Sequence, residues 1–244
     1  MNALRGEVAF VTGGGAGIGL ACAVELARRG ARVMITDIDE AAAREVASSI
    51  GGAAFALDVR DPVAVDAAVA ATVEEFGSLT VAVNNAGVGV PTPFRTAEVT
   101  DAEWRRVLTV NLDGVFHCLR AETGVMAGRG GGSIVNIGSI GSLVGLPGAV
   151  TYTAAKHAVL GMTKAVAAEY AADGVRVNLV TPGYVDTAIS PRSPEQKAAL
   201  AAKHPLGRLA TSEEVAAVVC FLASRESSFV TGSYYSVDGG FTAL

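Results

Sequence analysis

The run Val8-Ala9-Phe10-Val11-Thr12-Gly13-Gly14-Gly15-Ala16-Gly17-Ile18-Gly19 decides the reading of this chain. Val8–Thr12 is apolar or β-branched throughout, as a strand buried on both faces requires. The glycines then allow a tight turn and let backbone N–H groups approach a pyrophosphate at the start of a helix predicted over Gly17–Arg29. The spacing is TGxxxGxG, carried by Thr12, Gly13, Gly17 and Gly19, rather than GxGxxG. Taken alone, the turn also reads as a plain strand–helix connection.

Outward from this turn, short apolar runs alternate with helical patterns. Further strands are predicted at Arg32–Asp37, Ala53–Ala56, Val81–Asn84, Ser133–Ile137, Arg176–Val180 and Tyr235–Val237. Helices are predicted at Glu40–Ser49, Pro62–Phe76, Asp101–Ala127, Thr151–Ala172 and Ser212–Ala223. Asp61-Pro62 sets a cap before a proline at the first helical position. Thr100-x-x-Glu103 and Thr211-x-x-Glu214 match the capping box. Seven strands alternating with helices argue for an α/β fold built on a doubly wound parallel sheet. No linker or repeat divides the chain, so residues 1–244 read as one domain. The irregular stretch 185–208 carries Pro191, Pro194 and Pro205 and is a lid candidate.

Composition narrows the class. Of 244 residues, 50% are hydrophobic and 18% charged, enough for one large core. The net charge is −5 with no basic stripe, which argues against nucleic acid or an acidic membrane surface as partner. Cys22, Cys118 and Cys220 are far apart and form no CxxC, so buried free thiols in the reducing cytoplasm are expected. His117, His157 and His204 lack metal-ligand spacing, and no metal is expected. No leader-like segment is visible, and no apolar run reaches the ~18–20 residues of a membrane span, so a soluble intracellular protein is expected.

Two clusters point to chemistry. Asp37 ends the second strand, 18 residues past Gly19, where a carboxylate accepts hydrogen bonds from a ribose and repels a 2′-phosphate. Ala16 offers no charge to such a phosphate, so NAD is favoured over NADP. Asp37 reads equally as a strand-end or helix-capping residue, with Asp39 as the other cap candidate. Tyr152 and Lys156 are four apart, on one face of a helix, with Ser139 13 residues before the tyrosine. A cation beside the phenol favours phenolate and lowers its pKa from about 10. The serine hydroxyl can hold a carbonyl oxygen. Such a set suits alcohol–ketone interconversion if a hydride carrier is bound. Asn111 is a poor helix former within a long helical pattern, which favours a specific role.

These residues, in this order, resemble the short-chain dehydrogenase/reductase family over nearly the whole chain. The family's cofactor turn resembles Thr12–Gly19, including Ile18, and its adenine-contacting pair is similar to Asp58-Val59. Its Asn-Asn-Ala-Gly motif stands as Asn84-Asn85-Ala86-Gly87, and its helix asparagine as Asn111. Its serine, tyrosine and lysine match Ser139, Tyr152 and Lys156; its proline-glycine motif matches Pro182-Gly183-Tyr184-Val185-Asp186-Thr187; its terminal motif resembles Val237-Asp238-Gly239-Gly240. A serine common before the lysine is here Ala155. The resemblance implies a Rossmann-type fold, a nicotinamide cofactor and a homotetramer. It also implies that Lys156 bonds the nicotinamide ribose, that Thr187 contacts the carboxamide, and that Asn111 holds a water linking Lys156 to solvent.

The expected reaction is hydride transfer between a secondary alcohol and a ketone. Val88, Val90, Phe94, Ile140, Leu143, Val144, Leu146, Tyr184 and Ile189 are expected to wall a mostly apolar substrate pocket with no anion clamp, which favours a neutral cyclic or aliphatic substrate. The alternative is a 3-oxoacyl-thioester reductase acting on acyl carrier protein, favoured by Pro205-Leu206-Gly207-Arg208. Asp37 and an acidic rim at Asp173, with Arg129 as its one obvious cation, oppose that alternative. A non-catalytic NAD-binding regulator would be expected to lack the tyrosine or the lysine.

Overall fold

The computed structural model describes residues 3–90, 92–187 and 193–244. Ile189 and Pro191 lie outside them. Seven strands, β1 (Val8–Thr12), β2 (Arg32–Asp37), β3 (Ala53–Ala56), β4 (Val81–Asn84), β5 (Gly132–Ile137), β6 (Val175–Pro182) and β7 (Tyr234–Val237), form one sheet in the order β3-β2-β1-β4-β5-β6-β7. Every neighbouring pair is parallel. Strand order reverses between β1 and β4, and ligands of such sheets bind beyond the strand C-termini at that switch point.

Helices cover both faces because β1 alternates within a fully buried strand. Ala9 and Val11 point into a core shared with α1 (Gly17–Arg28), α2 (Glu40–Ile50) and α8 (Ser212–Ala223). Phe10 points into a second core shared with α3 (Pro62–Phe76), α5 (Gly114–Ala127) and α6 (Val150–Glu169). Buried anchors such as Leu26 and Phe10 each contribute about 1.5–3 kcal/mol. The result is the doubly wound α/β sheet that the alternating pattern predicts, of the Rossmann type that the resemblance implies.

Cap chemistry sets the helix starts. Asp61 accepts from Val63 N, and Thr100 and Thr211 accept from Glu103 N and Glu214 N. Asp39, not Asp37, caps α2 by accepting from Ala42 N at 3.1 Å.

Three expectations change. The helix expected over Asp101–Ala127 is α4 (Asp101–Leu108), a π turn (Thr109–Asp113) and α5. The Asn111 amide at the centre of that turn reaches sideways to the backbone of Val88, and a π turn absorbs the extra residue. The stretch 185–208 contains α7 (Pro194–Ala201), begun by a Ser193/Gln196 capping box with Pro194 at the first position. Finally, α6 stops at Glu169, and Ala171–Asp173 is a short 3-10 turn.

Candidate active site

The cleft begins at the glycine turn. Gly13 and Gly17 have φ +62° and +55°, a region that favours glycine. A Cβ on Gly13 would lie 2.9 Å from Asn85 Nδ2, and one on Gly19 only 2.0 Å from the Gly13 carbonyl oxygen. Thr12 ties this turn to the end of β4: its Oγ1 accepts from Asn85 N at 3.0 Å and Ala86 N at 3.1 Å. Asn85 Nδ2 returns two bonds, to Thr12 O at 3.0 Å and Gly13 O at 2.9 Å. The first residue before α1, Ala16, supplies no side-chain cap. The first N–H groups of α1 thus keep their donors for an anion, and the dipole favours negative charge there. This cradle fits a dinucleotide pyrophosphate.

Asp37 stands at the next strand end, facing the same cleft. Its carboxylate accepts from Gly15 N at 2.9 Å and Asp39 N at 3.0 Å, which fixes its orientation. Ala16 and Ile38 line the cleft beside it and carry no charge. Asp58 and Val59 follow, with Asp58 paired to Arg60; that guanidinium holds the Asp58 carboxyl below its usual range.

At the other end, Ser139 follows β5. Its Oγ accepts from Gly141 N at 3.1 Å. Tyr152 and Lys156 share a face of α6, with Lys156 Nζ 5.7 Å from the tyrosine ring centre. The ammonium donates to Ile137 O at 2.8 Å. Burial pushes the Tyr152 hydroxyl above its ordinary value, which the Ser139 side chain offsets only in part. Burial also lowers Lys156, to about 8. This corrects the expectation of a lowered tyrosine: loss of water outweighs a cation whose own partner is a carbonyl.

Asn111 is fully buried. Its Oδ1 accepts from Val88 N at 2.7 Å and its Nδ2 donates to Val88 O at 2.8 Å. The side chain thus braces the loop after β4.

The cleft encloses about 1300 Å³ and is lined by Gly13, Ile18, Asp37, Asp58, Val59 and Asn85–Gly87 at its cofactor-like end. Ser139, Tyr152, Lys156, Pro182, Val185 and Thr187 line the far part. Gly17, Gly19, Asn111 and Gly183 are not among its lining residues. A Cβ on Gly183 would meet His204 Nε2 at 2.7 Å, so that glycine admits the imidazole. His204 Nε2 accepts from Tyr184 N at 3.2 Å and its Nδ1 faces Leu200 O at 2.9 Å, tying the end of α7 to the cleft wall.

Val88, Val90, Ile140, Leu146 and Tyr184 line the cleft as expected, but Phe94, Leu143 and Val144 are not among its lining residues. Sequence reasoning missed Leu200, Gln196 and Lys203, which α7 and its following turn bring there. The Ser193-x-x-Gln196 box was the available signal. The rim charges also differ from expectation. Arg129 bonds Gly77 O and, with Gly174 beside Asp173, belongs to a depression at the strand N-termini; among the described residues Lys203 and Arg106 join Lys156 as cations lining the far part of the cleft.

A family model described as enoyl-(acyl carrier protein) reductase matches residues 13–242. The chain belongs to the short-chain dehydrogenase/reductase family. It is 44% identical to cyclohexanol dehydrogenase of Acinetobacter sp. (strain SE19), over 99% of this chain and 97% of that protein. It is 45% identical to cis-4-hydroxycyclohexanecarboxylate dehydrogenase of Sinomonas cyclohexanicum, over 100% and 99%. The solved structure described as the crystal structure of gox2181 superposes with a TM-score of 0.95 at 36% identity, covering 100% of this chain and 99% of that one. As a family member, this chain is an oxidoreductase that acts on CH–OH groups with a nicotinamide cofactor.

Proposed function

We propose that this dehydrogenase interconverts a neutral cyclic or aliphatic secondary alcohol and its ketone with NAD. One observation carries the reading: a single cleft holds Ser139, Tyr152 and Lys156 at one end and the uncapped α1 turn with Asp37 at the other. Bound nicotinamide supplies the hydride acceptor. The chain supplies orientation and proton handling. Ser139 holds the substrate oxygen, and Tyr152 takes the hydroxyl proton in oxidation or returns it to the carbonyl in reduction. Lys156, released from Ile137 O, bonds the nicotinamide ribose and steadies the phenolate. Asn111, by bracing Val88, keeps the loop over the reacting centre in place. Positioned proton transfer is worth roughly 10²–10⁴ in rate, and alignment against the cofactor supplies much of the rest.

NAD is supported by Asp37, oriented by two backbone N–H groups, and by uncharged Ala16 and Ile38 beside it. Pro182, Gly183, Val185 and Thr187 form the nicotinamide side, and Asp58 with Val59 the adenine side. A ring substrate is supported by the names of both relatives, and its neutrality by the apolar Val88, Val90, Ile140 and Leu146 and by the cyclohexanol relative, the other being named for a carboxylate. The thioester alternative is opposed by Asp37, although Lys203 and Arg106 replace Arg129 as cations lining the cleft. Three buried free cysteines suit a reducing cytoplasm, and no helix among the described residues is long and apolar enough to cross a membrane. Homotetramer assembly is supported by the exposed Trp104 and Phe116 of α4 and α5.

The test is a screen of cyclic and aliphatic secondary alcohols for NADH formation, repeated with NADP. NADH from a cyclic alcohol is the expected result. Turnover confined to NADP and acetoacetyl thioesters would overturn the reading.

A further inference from the structure

Behind the cleft, on the α5–α6 side of the sheet, lies a buried line of polar side chains that the reaction above does not use. Glu122 of α5 is fully buried. Its Oε2 accepts from Asn84 Nδ2 at 2.9 Å, and the same Nδ2 reaches Asn136 Oδ1 at 3.0 Å. Asn136 Nδ2 donates to Thr163 Oγ1 at 2.9 Å, and that hydroxyl donates to Val159 O at 2.8 Å. Asn84 and Asn136 are register partners at the ends of β4 and β5.

Two buried atoms of this line have no hydrogen-bond partner among the described residues: Asn84 Oδ1 and Glu122 Oε1. They are the one oxygen of the amide and the second oxygen of the carboxyl that already share the bond from Asn84 Nδ2 to Glu122 Oε2. Both are acceptors if Glu122 is ionised, so a carboxylate would leave a bare anion beside a bare amide oxygen, far from any compensating cation. A carboxylic acid resolves both at once. An O–H on Oε1 would supply the donor that Asn84 Oδ1 lacks and pair acid with amide through both of their polar atoms.

We infer that Glu122 is a neutral carboxylic acid bonded to Asn84, and that this proton positions the end of β4 from which Asn85–Gly87 floor the cofactor site. Asn85, next in the chain, holds Thr12 O and Gly13 O, while Ile137, next after Asn136, holds Lys156. The acid is therefore linked through Asn84 and Asn85 to the glycine turn, and through Asn84, Asn136 and Ile137 to the active-site lysine. The positioning half rests on the cofactor reading above; the protonation half does not.

The surroundings agree. Burial drives the Glu122 carboxyl up to about 8, with the Asn84 bond opposing, and no charged group contributes. On its own helix the facing titratable group is Cys118, itself pushed up by burial. From the packed elements, Asp66, Glu74 and Glu75 of α3 and His157, Lys164 and Glu169 of α6 are exposed. Lys156 of α6 is bound to Ile137 O, Tyr152 of α6 faces the cleft, and Arg176 of β6 is bound to carbonyls of Val230, Leu222 and Ser224.

Glu122→Gln tests this, because an amide of the same shape keeps both bonds and cannot titrate. The folded carboxyl pKa is raised above its unfolded value of about 4.3, so the native state binds more protons in the window up to about 8. Wild-type stability is then lost, relative to Glu122→Gln, as pH rises through that window, and the difference levels off above it. Melting temperatures of both proteins without cofactor should show this growing gap; a gap independent of pH would overturn the protonation. Infrared spectroscopy of the wild type needs no variant. A protonated-carboxyl band at neutral pH, fading through about pH 8, is expected; its absence would overturn the proposal. The dissociation constant for NAD should rise several-fold more in wild type than in Glu122→Gln between neutral and alkaline pH. Equal pH profiles with a pH-dependent melting gap would overturn the positioning half alone. Failure of both proteins to bind NAD at any pH would instead overturn the cofactor reading.

Discussion

Thr12→Val isolates the tie between the glycine turn and the end of β4. Valine keeps the shape of threonine and removes one hydroxyl. That hydroxyl accepts from two backbone donors, Asn85 N at 3.0 Å and Ala86 N at 3.1 Å, and sits at 1% exposure. Each donor left unpaired costs about 1–3 kcal/mol. Asn85 and Ala86 are only half-buried, so partial hydration holds the sum near the lower part of that range. We expect a loss of about 2–4 kcal/mol. For a chain of this size that lowers the melting temperature by about 4–16 °C. The same two N–H groups set the cofactor floor, so a strain of only ~1.4 kcal/mol passed to the bound state weakens NAD about tenfold. Thr12→Ser keeps the acceptor and should retain most of both properties. The assay is a thermal melt paired with an NAD titration. If Thr12→Val melted within about 1 °C of wild type and bound NAD equally well, the tie would not hold the turn and the reasoning would fail.

Asp37→Ala removes the carboxylate that would oppose a 2′-phosphate, so the ratio of kcat/KM for NADP to that for NAD should rise at least ~10-fold; an unchanged ratio would show that Asp37 does not read the ribose. Gly19→Ala places a Cβ 2.0 Å from Gly13 O and should abolish cofactor binding or folding, whereas Gly89→Ala, with nothing within 4 Å, should be tolerated; equal behaviour in a cofactor titration would refute the contact. Burial lowers Lys156 to about 8, below its unfolded value of about 10.4. Its sign is opposite to that of Glu122: the unfolded state binds more protons between those values, so the cost of burying the charge is present below about 8 and is relieved as pH rises toward 10.4. The melting difference between Lys156→Met and wild type should change across that alkaline window and stay flat from there down to neutral pH; a difference flat throughout would contradict a buried ammonium.

What was legible in the sequence was local. The strand bounds of β1 through β4 follow from apolar runs ended by Asp, Asn or Gly, and α3 and α8 from their caps at Asp61 and Thr211. The glycine turn, Asp37 and the Ser139–Tyr152–Lys156 set were readable because each depends on spacing within one strand–helix unit. Long-range terms were not readable. The π turn at Asn111 exists because of a bond to Val88, 23 residues earlier. The raised Tyr152 reflects desolvation by the assembled cleft, and Lys156 turns to Ile137 O, 19 residues away in sequence. Arg129 lies between the end of a helix and the start of β5, a place that a parallel sheet puts at the strand N-termini, so the expected parallel fold itself already argued against a rim position. The helix α7 was hidden by its prolines, one of which is in fact its first residue.

The central claim is that Tyr152 handles the proton of a secondary alcohol while the rest of the cleft holds NAD. The direct measurement is NADH formation from cyclohexanol by wild type and Tyr152→Phe, with NAD affinity determined on the same samples. The account predicts turnover in wild type, near-wild-type NAD binding in the variant, and a turnover loss on the order of 10²–10⁴ or more. Full activity of Tyr152→Phe on a substrate that the wild type oxidises would contradict it.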